Sequence, residues 1–298
     1  MKKLFAILLT AALFCACFAG CGDKPIATEA PETWEKTASG ETAAPETQQK
    51  TLTGEITVFA AASMTETLTE LGTRFEKAHP DVKVTFNFAS SGKLMDQILA
   101  GADCDLFISA APKQMNNLDV SQDGEKNPDK NDYVDGTTRI NLLENKVALA
   151  VPDGNPKGVN SFDELAKGLQ DGSLLLAMGG EWVPVGQYTQ KIFAHYGLNE
   201  TDLAGAGVLT YGEDVKAVTT QVSEKLVDCG IIYQTDACSA KLTVVDTATE
   251  EMCGRVIYPA AVLKNAGNPE AAKAFLAFLQ TVEAGEVFQA VGFTPLAG

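Results

Sequence analysis

Histidine and arginine are scarce in this chain of 298 residues. The two histidines are His79 and His195, and the cysteines match no zinc-binding spacing, so we predict no set of protein ligands for a metal ion. A Gly-x-Ser-x-Gly nucleophile elbow is also missing, and neither histidine lies near a candidate serine motif. A hydrolytic enzyme is therefore disfavoured, and we expect no turnover of esters.

Basic side chains are outnumbered by acidic ones. Lysine and arginine together number 23, aspartate and glutamate number 39, and the formal net charge is −16. A surface of this charge disfavours nucleic acid and anionic lipid as partners. It also disfavours an anionic ligand at long range, so the local field of a binding site would have to outweigh the net charge.

Apolar runs long enough to span a bilayer are missing, and the run that opens the chain is short. Lys2 and Lys3 precede an apolar stretch over residues 4–14, which falls short of the roughly 20 residues of a membrane-spanning helix. This arrangement predicts a signal peptide over residues 1–20 that is removed from the mature protein. Removal of the two lysines leaves 21 basic against 39 acidic side chains, a formal net charge of −18.

The sequence Phe-Ala-Gly-Cys at 18–21 resembles a bacterial lipobox, in which the chain is cut before the cysteine and the sulfur receives a diacylglyceryl group. The resemblance implies that Cys21 is a lipid anchor; Cys17 is the rival site, and an ordinary signal peptide is the alternative. Residues 22–49 are mostly Thr, Glu, Ala and Pro, which cannot bury enough apolar surface to offset the entropy of ordering. We therefore predict a lipidated, disordered tether over residues 21–53.

The rest of the chain is long enough for one large or two ordinary domains. It holds four cysteines, Cys104, Cys229, Cys238 and Cys253. Outside the cytoplasm these could form two disulfides in any of three pairings, or remain as free buried thiols. Both possibilities stay open at this point.

Apolar side chains after residue 54 alternate between the spacing of strands and the spacing of helices. The β-forming runs predict strands at 55–61, 82–88, 104–109, 146–151, 174–178, 230–233 and 255–263. Helical spacing predicts helices at 64–77, 93–100, 187–196 and 269–288, and a further helix that ends at 226. A capping box of Ser161 with Glu164 predicts a helix that begins at 161. The polar residues 119–136 indicate an exposed loop. The alternation is that of two α/β units.

The turns after several of these strands carry hydroxyl side chains or free backbone amides. They lie at Ser63, at Ser90 and Ser91, at 183–186, at 212–216 and at Tyr233. In doubly wound sheets, ligands bind beyond the carboxyl ends of the strands, where helix N-termini favour anions. Each serine alone could be a plain helix cap and Tyr233 a half-buried aromatic residue, so no single turn decides the function.

Taken in order, six segments resemble the periplasmic molybdate-binding proteins of ABC importers, and the likeness runs from about Gly54 to Pro295. The segments are TVFAAAS at 57–63, FASSG at 88–92, AGADCDLFISA at 100–110, VPVGQY at 183–188, GEDVK at 212–216 and GIIYQTDA at 230–237. The resemblance implies an α/β fold of the two-lobed type II periplasmic-binding-protein class, in which each lobe is a doubly wound sheet and the ligand lies in the interlobe cleft. We place lobe 1 at 54–151 plus 253–298 and lobe 2 at 152–252, with crossings near Pro152 and at 245–253.

The resemblance also implies a ligand site and a role in transport. The site would bind molybdate or tungstate as an oxyanion, without a direct salt bridge and without a cofactor, through the hydroxyls of Ser63 and Ser91, the amides of Val185 and Val215, and the phenol of Tyr233. Ser90 replaces Ser91 if the register differs by one residue. The protein would be an extracytoplasmic, lipid-anchored monomer whose partner is the permease of an ABC importer.

Three other functions remain as alternatives. A binder of the same fold could take sulfate, phosphate or an organic anion, although a carboxylate binder is expected to place an arginine in the cleft, and none of Arg74, Arg139 and Arg255 falls in the five turns. A hydrolytic enzyme and a purely structural lipoprotein are the others.

Two residues depart from the family pattern. Val185 stands where relatives carry a smaller residue, and Trp182 stands where they carry a polar one. Both bear on the shape of the cleft.

Overall fold

The structure is a computed structural model and describes residues 51–296 of the chain. The expected signal peptide, the Cys21 anchor and nearly all of the tether lie outside the described residues. Within them, the strands are β1 (Gly54–Ala61), β2 (Val82–Ala89), β3 (Leu106–Ile108), β4 (Ile140–Asn145), β5 (Val147–Val151), β6 (Leu176–Gly179), β7 (Leu209–Gly212), β8 (Cys229–Tyr233), β9 (Thr243–Thr247), β10 (Val256–Val262) and β11 (Thr294–Pro295).

The helices in the same part of the chain connect these strands. They are α1 (Thr65–Ala78), α2 (Ser91–Leu99), α3 (Pro112–Asn117), α4 (Phe162–Gln170), α5 (Pro184–His195), α6 (Glu200–Gly205), α7 (Val215–Ser223), α8 (Gln234–Ser239), α9 (Glu250–Cys253), α10 (Pro269–Phe278) and α11 (Val282–Ala290). A single turn of 3₁₀ helix over Ala62–Met64 leads from β1 into α1.

The strands form two sheets, and each sheet is the centre of one lobe. Lobe 1 carries the sheet β11-β4-β10-β3-β1-β2, and lobe 2 carries the sheet β7-β6-β8-β5-β9. In lobe 1, β1 runs parallel to β2 and β3 while β10 lies antiparallel between β3 and β4. In lobe 2, β6 runs parallel to β7 and β8 while β5 lies antiparallel between β8 and β9. The expected two-lobed α/β fold is confirmed.

The first crossing between the lobes lies at Asn145 and Lys146, and the expectation that it lies near Pro152 is wrong. Strand β5 pairs with β8 and β9, so residues 147–151 belong to lobe 2. The chain leaves the first sheet where the Lys146 N–H donates to the Asn145 side-chain oxygen at 2.8 Å. Pro152 does follow the end of β5, where its missing N–H costs no ladder bond, but the change of sheet occurs earlier, at this polar pair. The chain returns to lobe 1 between Thr247 and Val256.

The core of lobe 1 shows why its first two elements were predictable. Ile56, Val58 and Ala60 alternate along β1 and are fully buried, while α1 places Leu68, Leu71 and Phe75 on its inner face. The ring of Phe75 meets that of Phe275 on α10 edge-on, with centroids 5.1 Å apart. The helix ends at Ala78, because a residue that precedes proline, here His79, disfavours the helical conformation.

Two sequence-based expectations in lobe 1 are corrected. The helix predicted at 269–288 is two helices, because Thr281 caps a new one by accepting the N–H of Ala284 at 3.3 Å. The segment 119–136 has no helix, as expected, but it is not simply exposed. Asp119 and Asn127 are buried within it, and Asp119 accepts the N–H of Ser121 and pairs with Arg139.

The four cysteines of the described residues are free thiols. Burial raises the pKa of Cys104 and of Cys229 to about 12, and that of Cys253 to about 11, so these three stay protonated at neutral pH. Cys238 is exposed. None of the helices between residues 51 and 296 is long and apolar enough to cross a membrane.

Candidate ligand-binding site

A small cavity lies between the two lobes, at the ends of β1, β2 and β8. All five residues expected to bind the ligand line it, as does Ser90; the twelve lining residues are Ala61, Ala62, Ser63, Ala89, Ser90, Ser91, Ala110, Val183, Pro184, Val185, Val215 and Tyr233. The cavity encloses about 10 Å³, which is room for roughly one water molecule. None of the lining residues carries a charged side chain.

The Ser63 hydroxyl is not used as a helix cap. Ser63 lies in the 3₁₀ turn, and neither that turn nor α1 has a side-chain cap. Its oxygen lies 2.9 Å from the hydroxyl oxygen of Tyr258, a fully buried residue of β10. The structure therefore does not show the capping role that the sequence left open for Ser63, and its role as a ligand donor stays a prediction.

Ser90 and Ser91 have different tasks. Ser90 is the N-cap of α2 and accepts the N–H of Lys93 at 3.4 Å. Ser91 accepts the N–H of Ala110 at 2.9 Å. Because a backbone N–H can only donate, the Ser91 oxygen is the acceptor in that bond, and its own proton is free to bind an acceptor in the cavity. Ser90 likewise accepts from a backbone N–H and keeps its own proton, so these bonds alone do not choose between the two serines as a donor to a ligand.

Two helix N-termini of lobe 2 reach the cavity wall. Val185 is in the first turn of α5 and Val215 is the first residue of α7, where N–H groups have no acceptor within the helix. The first turn of α5 sits close to the end of β6, since a β-carbon on Gly186 would lie 2.3 Å from the Gly179 carbonyl oxygen. The glycine at 186 thus allows the approach that brings the Val185 amide to the cavity.

Tyr233 supplies a buried hydroxyl that lacks a partner. Its side chain is 1% exposed at the end of β8, and its oxygen has no hydrogen-bond partner among the described residues. Burial raises the pKa of Tyr233 well above the ordinary value, so the phenol keeps its proton. An unpaired buried hydroxyl is unfavourable by roughly 1–3 kcal/mol, and an acceptor in the cavity would remove that penalty.

Comparison with known proteins identifies the family. Residues 56–294 match the family model described as bacterial extracellular solute-binding protein. The chain belongs to this family.

Individual relatives span nearly the same region of this solute-binding protein. The Escherichia coli molybdate-binding protein ModA is 34% identical over 242 residues, which cover 80% of this chain and 88% of the relative. YvgL of Bacillus subtilis, assigned as an ABC transporter substrate-binding lipoprotein, is 34% identical over 241 residues, covering 80% of this chain and 86% of the relative. The substrate-binding domain assigned to a molybdenum ABC transporter of Clostridium difficile is 30% identical, with a TM-score of 0.59, and covers 81% of this chain and 99% of that structure. The periplasmic molybdate-binding protein of Azotobacter vinelandii shares the fold at 20% identity with a TM-score of 0.68. The match covers 80% of this chain and 98% of that structure.

Charged groups of this solute-binding protein surround the cavity but do not line it. Lys93 of lobe 1 pairs with Glu213 of lobe 2 at 2.5 Å, and Lys216 of lobe 2 lies 2.8 Å from both carboxylate oxygens of Glu66 in lobe 1. Lys216 also lies 3.2 Å from Asp236, a buried residue of α8. Burial raises the pKa of Asp236 to about 6, although Lys216 acts in the opposite direction. The two ion pairs join the lobes on the side of α7.

Three residues that matter to this site were missed from the sequence. Tyr258 and Asn145 hydrogen-bond near Ser63, and Gly92 allows contact between the lobes, since a β-carbon there would lie 2.2 Å from the carbonyl oxygen of Trp182. Gly92 stood in one of the recognised motifs without a role, while Tyr258 gave no signal apart from its place in a β-forming run. Trp182 is 62% exposed and is not among the residues that line the cavity.

No group of three or more His, Cys, Asp or Glu residues in the described part of the chain is arranged to hold a metal ion. The lining residues are instead uncharged: the serines Ser63 and Ser91 come from lobe 1, and Val185, Val215 and Tyr233 come from lobe 2. Both lobes therefore contribute to the wall of the cavity.

Proposed function

We propose that this solute-binding protein captures molybdate or tungstate outside the cytoplasm and delivers it to the permease of an ABC importer. The observation that carries the proposal is the uncharged interlobe cavity with the unpaired Tyr233 hydroxyl, lined by Ser63, Ser91 and the amides at Val185 and Val215. Relatives named as molybdate-binding proteins, from Escherichia coli and from Haemophilus influenzae at 33% identity, support it.

The chemistry of these donors suits a tetrahedral dianion. Hydrogen bonds to a charged group are worth roughly 1.5–3 kcal/mol each, and the helix N-termini add a favourable field. A fully deprotonated oxyanion accepts hydrogen bonds on every side, whereas a protonated phosphate would set its own O–H against a protein donor. The donors are neutral, so the ligand can be released without breaking a salt bridge.

Sulfate is the second candidate, because it is also a tetrahedral dianion that carries no proton at neutral pH. The same set of donors would accept it, and only the size of the cavity separates it from the larger molybdate. The fold likeness to the sulfate-binding protein SubI of Mycobacterium tuberculosis, at 17% identity and a TM-score of 0.65, extends to the fold alone.

The proposed setting is the outer face of the cell membrane, with Cys21 as the lipid anchor and the protein acting as a monomer. The signal peptide and the lipobox-like residues 18–21 support this, together with the lipoprotein name of the Bacillus subtilis relative. We propose that the protein needs no cofactor and catalyses no reaction.

Calorimetric titration of the mature, delipidated protein with molybdate, tungstate, sulfate and phosphate tests the proposal. We expect tight binding of molybdate and tungstate and losses of about tenfold or more in Ser63→Ala and Tyr233→Phe, since each removes a donor to a dianion. Tyr196→Phe is the matched control, because its hydroxyl bonds to Asp163 away from the cavity. No heat with any of the four anions would overturn the proposal.

A further inference from the structure

We infer that Tyr258 and Asn145 are positioning residues that orient the Ser63 hydroxyl so that it donates its proton into the cavity. The inference deepens the proposed function and rests on it for the identity of the ligand. It starts from a chain of buried hydrogen bonds that runs from Asn145, at the crossing between the lobes, through Tyr258 to Ser63.

The orientation of the Asn145 amide follows from its backbone neighbour. The N–H of Lys146 points at one end of the amide at 2.8 Å, and because that N–H can only donate, this end must be the oxygen. The NH₂ end therefore faces Tyr258 at 3.2 Å and Thr235 at 3.0 Å. Its two hydrogens serve both partners, and a reversed amide would set donor against donor on the Lys146 side.

The direction of the next bond follows from the first. The Tyr258 oxygen accepts from the Asn145 NH₂ group, so its own proton is available for a second partner. That partner is the Ser63 oxygen at 2.9 Å. Burial raises the pKa of Tyr258 well above the ordinary value, so the proton is present, and the rings of Tyr233 and Phe293 pack edge-on against its ring at 5.8 and 5.2 Å and hold it in place.

The proton of Ser63 must then point elsewhere. Its oxygen already accepts from Tyr258, and Ser63 lines the cavity. The Ser63 hydroxyl is thereby a donor toward the ligand, as the Ser91 hydroxyl is through its bond from Ala110. Both serines are set as donors before the ligand arrives, which favours an anion without protons and disfavours one that must itself donate.

The chain also joins the two lobes. Asn145 is the last residue of β4 in lobe 1, and the NH₂ group that orients Tyr258 also donates to Thr235 of α8 in lobe 2. Thr235 lies two residues after Tyr233, which closes the cavity from lobe 2. The orientation of a lobe 1 donor is thus tied to the position of lobe 2.

A double-mutant cycle separates this positioning role from a general loss of packing. We expect Tyr258→Phe to weaken molybdate binding by about tenfold, in line with one lost hydrogen bond to a charged group, and to have no further effect in the Ser63→Ala background. We also expect the ratio of phosphate to molybdate affinity to rise in Tyr258→Phe, because the freed serine can then accept a proton from the ligand. Tyr196→Phe should change neither quantity. Equal losses with and without Ser63, or an unchanged affinity ratio, would overturn the inference.

A measurement without ligand keeps this test apart from that of the proposed function. In nuclear magnetic resonance spectra of the intact wild-type protein, we expect a slowly exchanging Tyr258 hydroxyl proton with a cross-peak to the β-protons of Ser63. A Tyr258 hydroxyl proton without a cross-peak to the β-protons of Ser63 refutes the chain of donors. If the wild type binds none of the oxyanions, the proposed function fails, while this spectrum still decides how Tyr258 donates.

Discussion

The carbonyl oxygen of Trp182 in lobe 2 occupies the space that a β-carbon on Gly92 in lobe 1 would need, 2.2 Å from where that carbon would lie. The contact is between backbones, so neither side can move aside by rotating a side chain. The neighbours of these two residues in sequence, Ser91 and Val183, both line the cavity. The close approach of the two lobes at this point therefore requires that residue 92 has no side chain.

We predict that Gly92→Ala lowers molybdate affinity by tenfold or more. The added methyl group would hold the lobes apart, and donors on opposite lobes could no longer reach one small anion together. Titration calorimetry measures the loss, and small-angle scattering of the protein with ligand should show larger dimensions than the wild type. Gly205→Ala is the control, since a β-carbon at Gly205 meets no atom within 4 Å. Full affinity in Gly92→Ala would show that the ligand can be bound without this close approach of the two lobes.

The two serines at the start of α2 should respond differently to replacement. Ser91→Ala removes a proposed ligand donor and leaves the Ala110 N–H without its acceptor, so both affinity and stability should fall. Ser90→Ala removes a cap, which is worth roughly 0.5–2 kcal/mol of stability, and should leave affinity within about threefold. Calorimetric titration and urea unfolding of each variant distinguish the cases. A larger loss of affinity in Ser90→Ala would assign the donor to the other serine.

Asp236 should make the stability of the protein depend on pH. Its folded pKa of about 6 lies above the ordinary value of 3.8, so between these values the folded state binds more protons than the unfolded state. Stability from this group is therefore lost as pH rises through the window from about 4 to 6. At about 1.4 kcal/mol per pKa unit, the cost above pH 6 is on the order of 3 kcal/mol.

Urea unfolding of the wild type and Asp236→Asn from pH 4 to pH 7.5 checks this expectation. The wild type should lose stability relative to the variant as pH rises to about 6, and the difference should then level off. The neighbouring charges of Lys216, Glu66 and Asp214 are present in both proteins, so their titration contributes to both curves. Two parallel curves would show that Asp236 is charged throughout.

The break between α10 and α11 leads to a prediction about stability alone. Thr281→Ala should lower the free energy of unfolding by roughly 0.5–2 kcal/mol, because the N–H of Ala284 loses its cap. Ligand affinity should be unchanged, since Thr281 is in lobe 1 away from the cavity. Thermal unfolding and calorimetric titration together measure both. A variant as stable as the wild type would mean that the turn at 279–281 holds without its cap.

Local patterns were sufficient for much of the fold. The alternation of Ile56 and Val58 and the helical spacing of Leu68 and Phe75 predicted β1 and α1 within a residue or two, because both elements bury one face. The short strands β4, β7 and β9 were missed, since polar residues interrupt their apolar pattern. The place of β10 between β3 and β4 joins residues that are more than 100 positions apart, and no local pattern contains that information.

The candidate site was likewise predicted from the sequence only in part. Ser63, Ser91, Val185, Val215 and Tyr233 stand in recognisable motifs, and the structure brings all five to one cavity. Their binding role stays a prediction until a ligand is measured. Tyr258 was missed because its relation to Ser63 spans 195 positions and depends on the pairing of β10 with the sheet. The crossing at Asn145 was also missed, since a proline seven residues later gave the more obvious signal.

The order of the strands decides which sheet can be completed from a continuous piece of chain. All five strands of lobe 2 lie in the segment from Val147 to Thr247, so its sheet needs no strand from the rest of the chain. The sheet of lobe 1 lacks the strand between β3 and β4 until β10 follows. The first sheet of the chain is therefore completed only by residues that follow the inserted lobe, so a C-terminal truncation before β10 would leave lobe 2 with all its strands and lobe 1 without its central one.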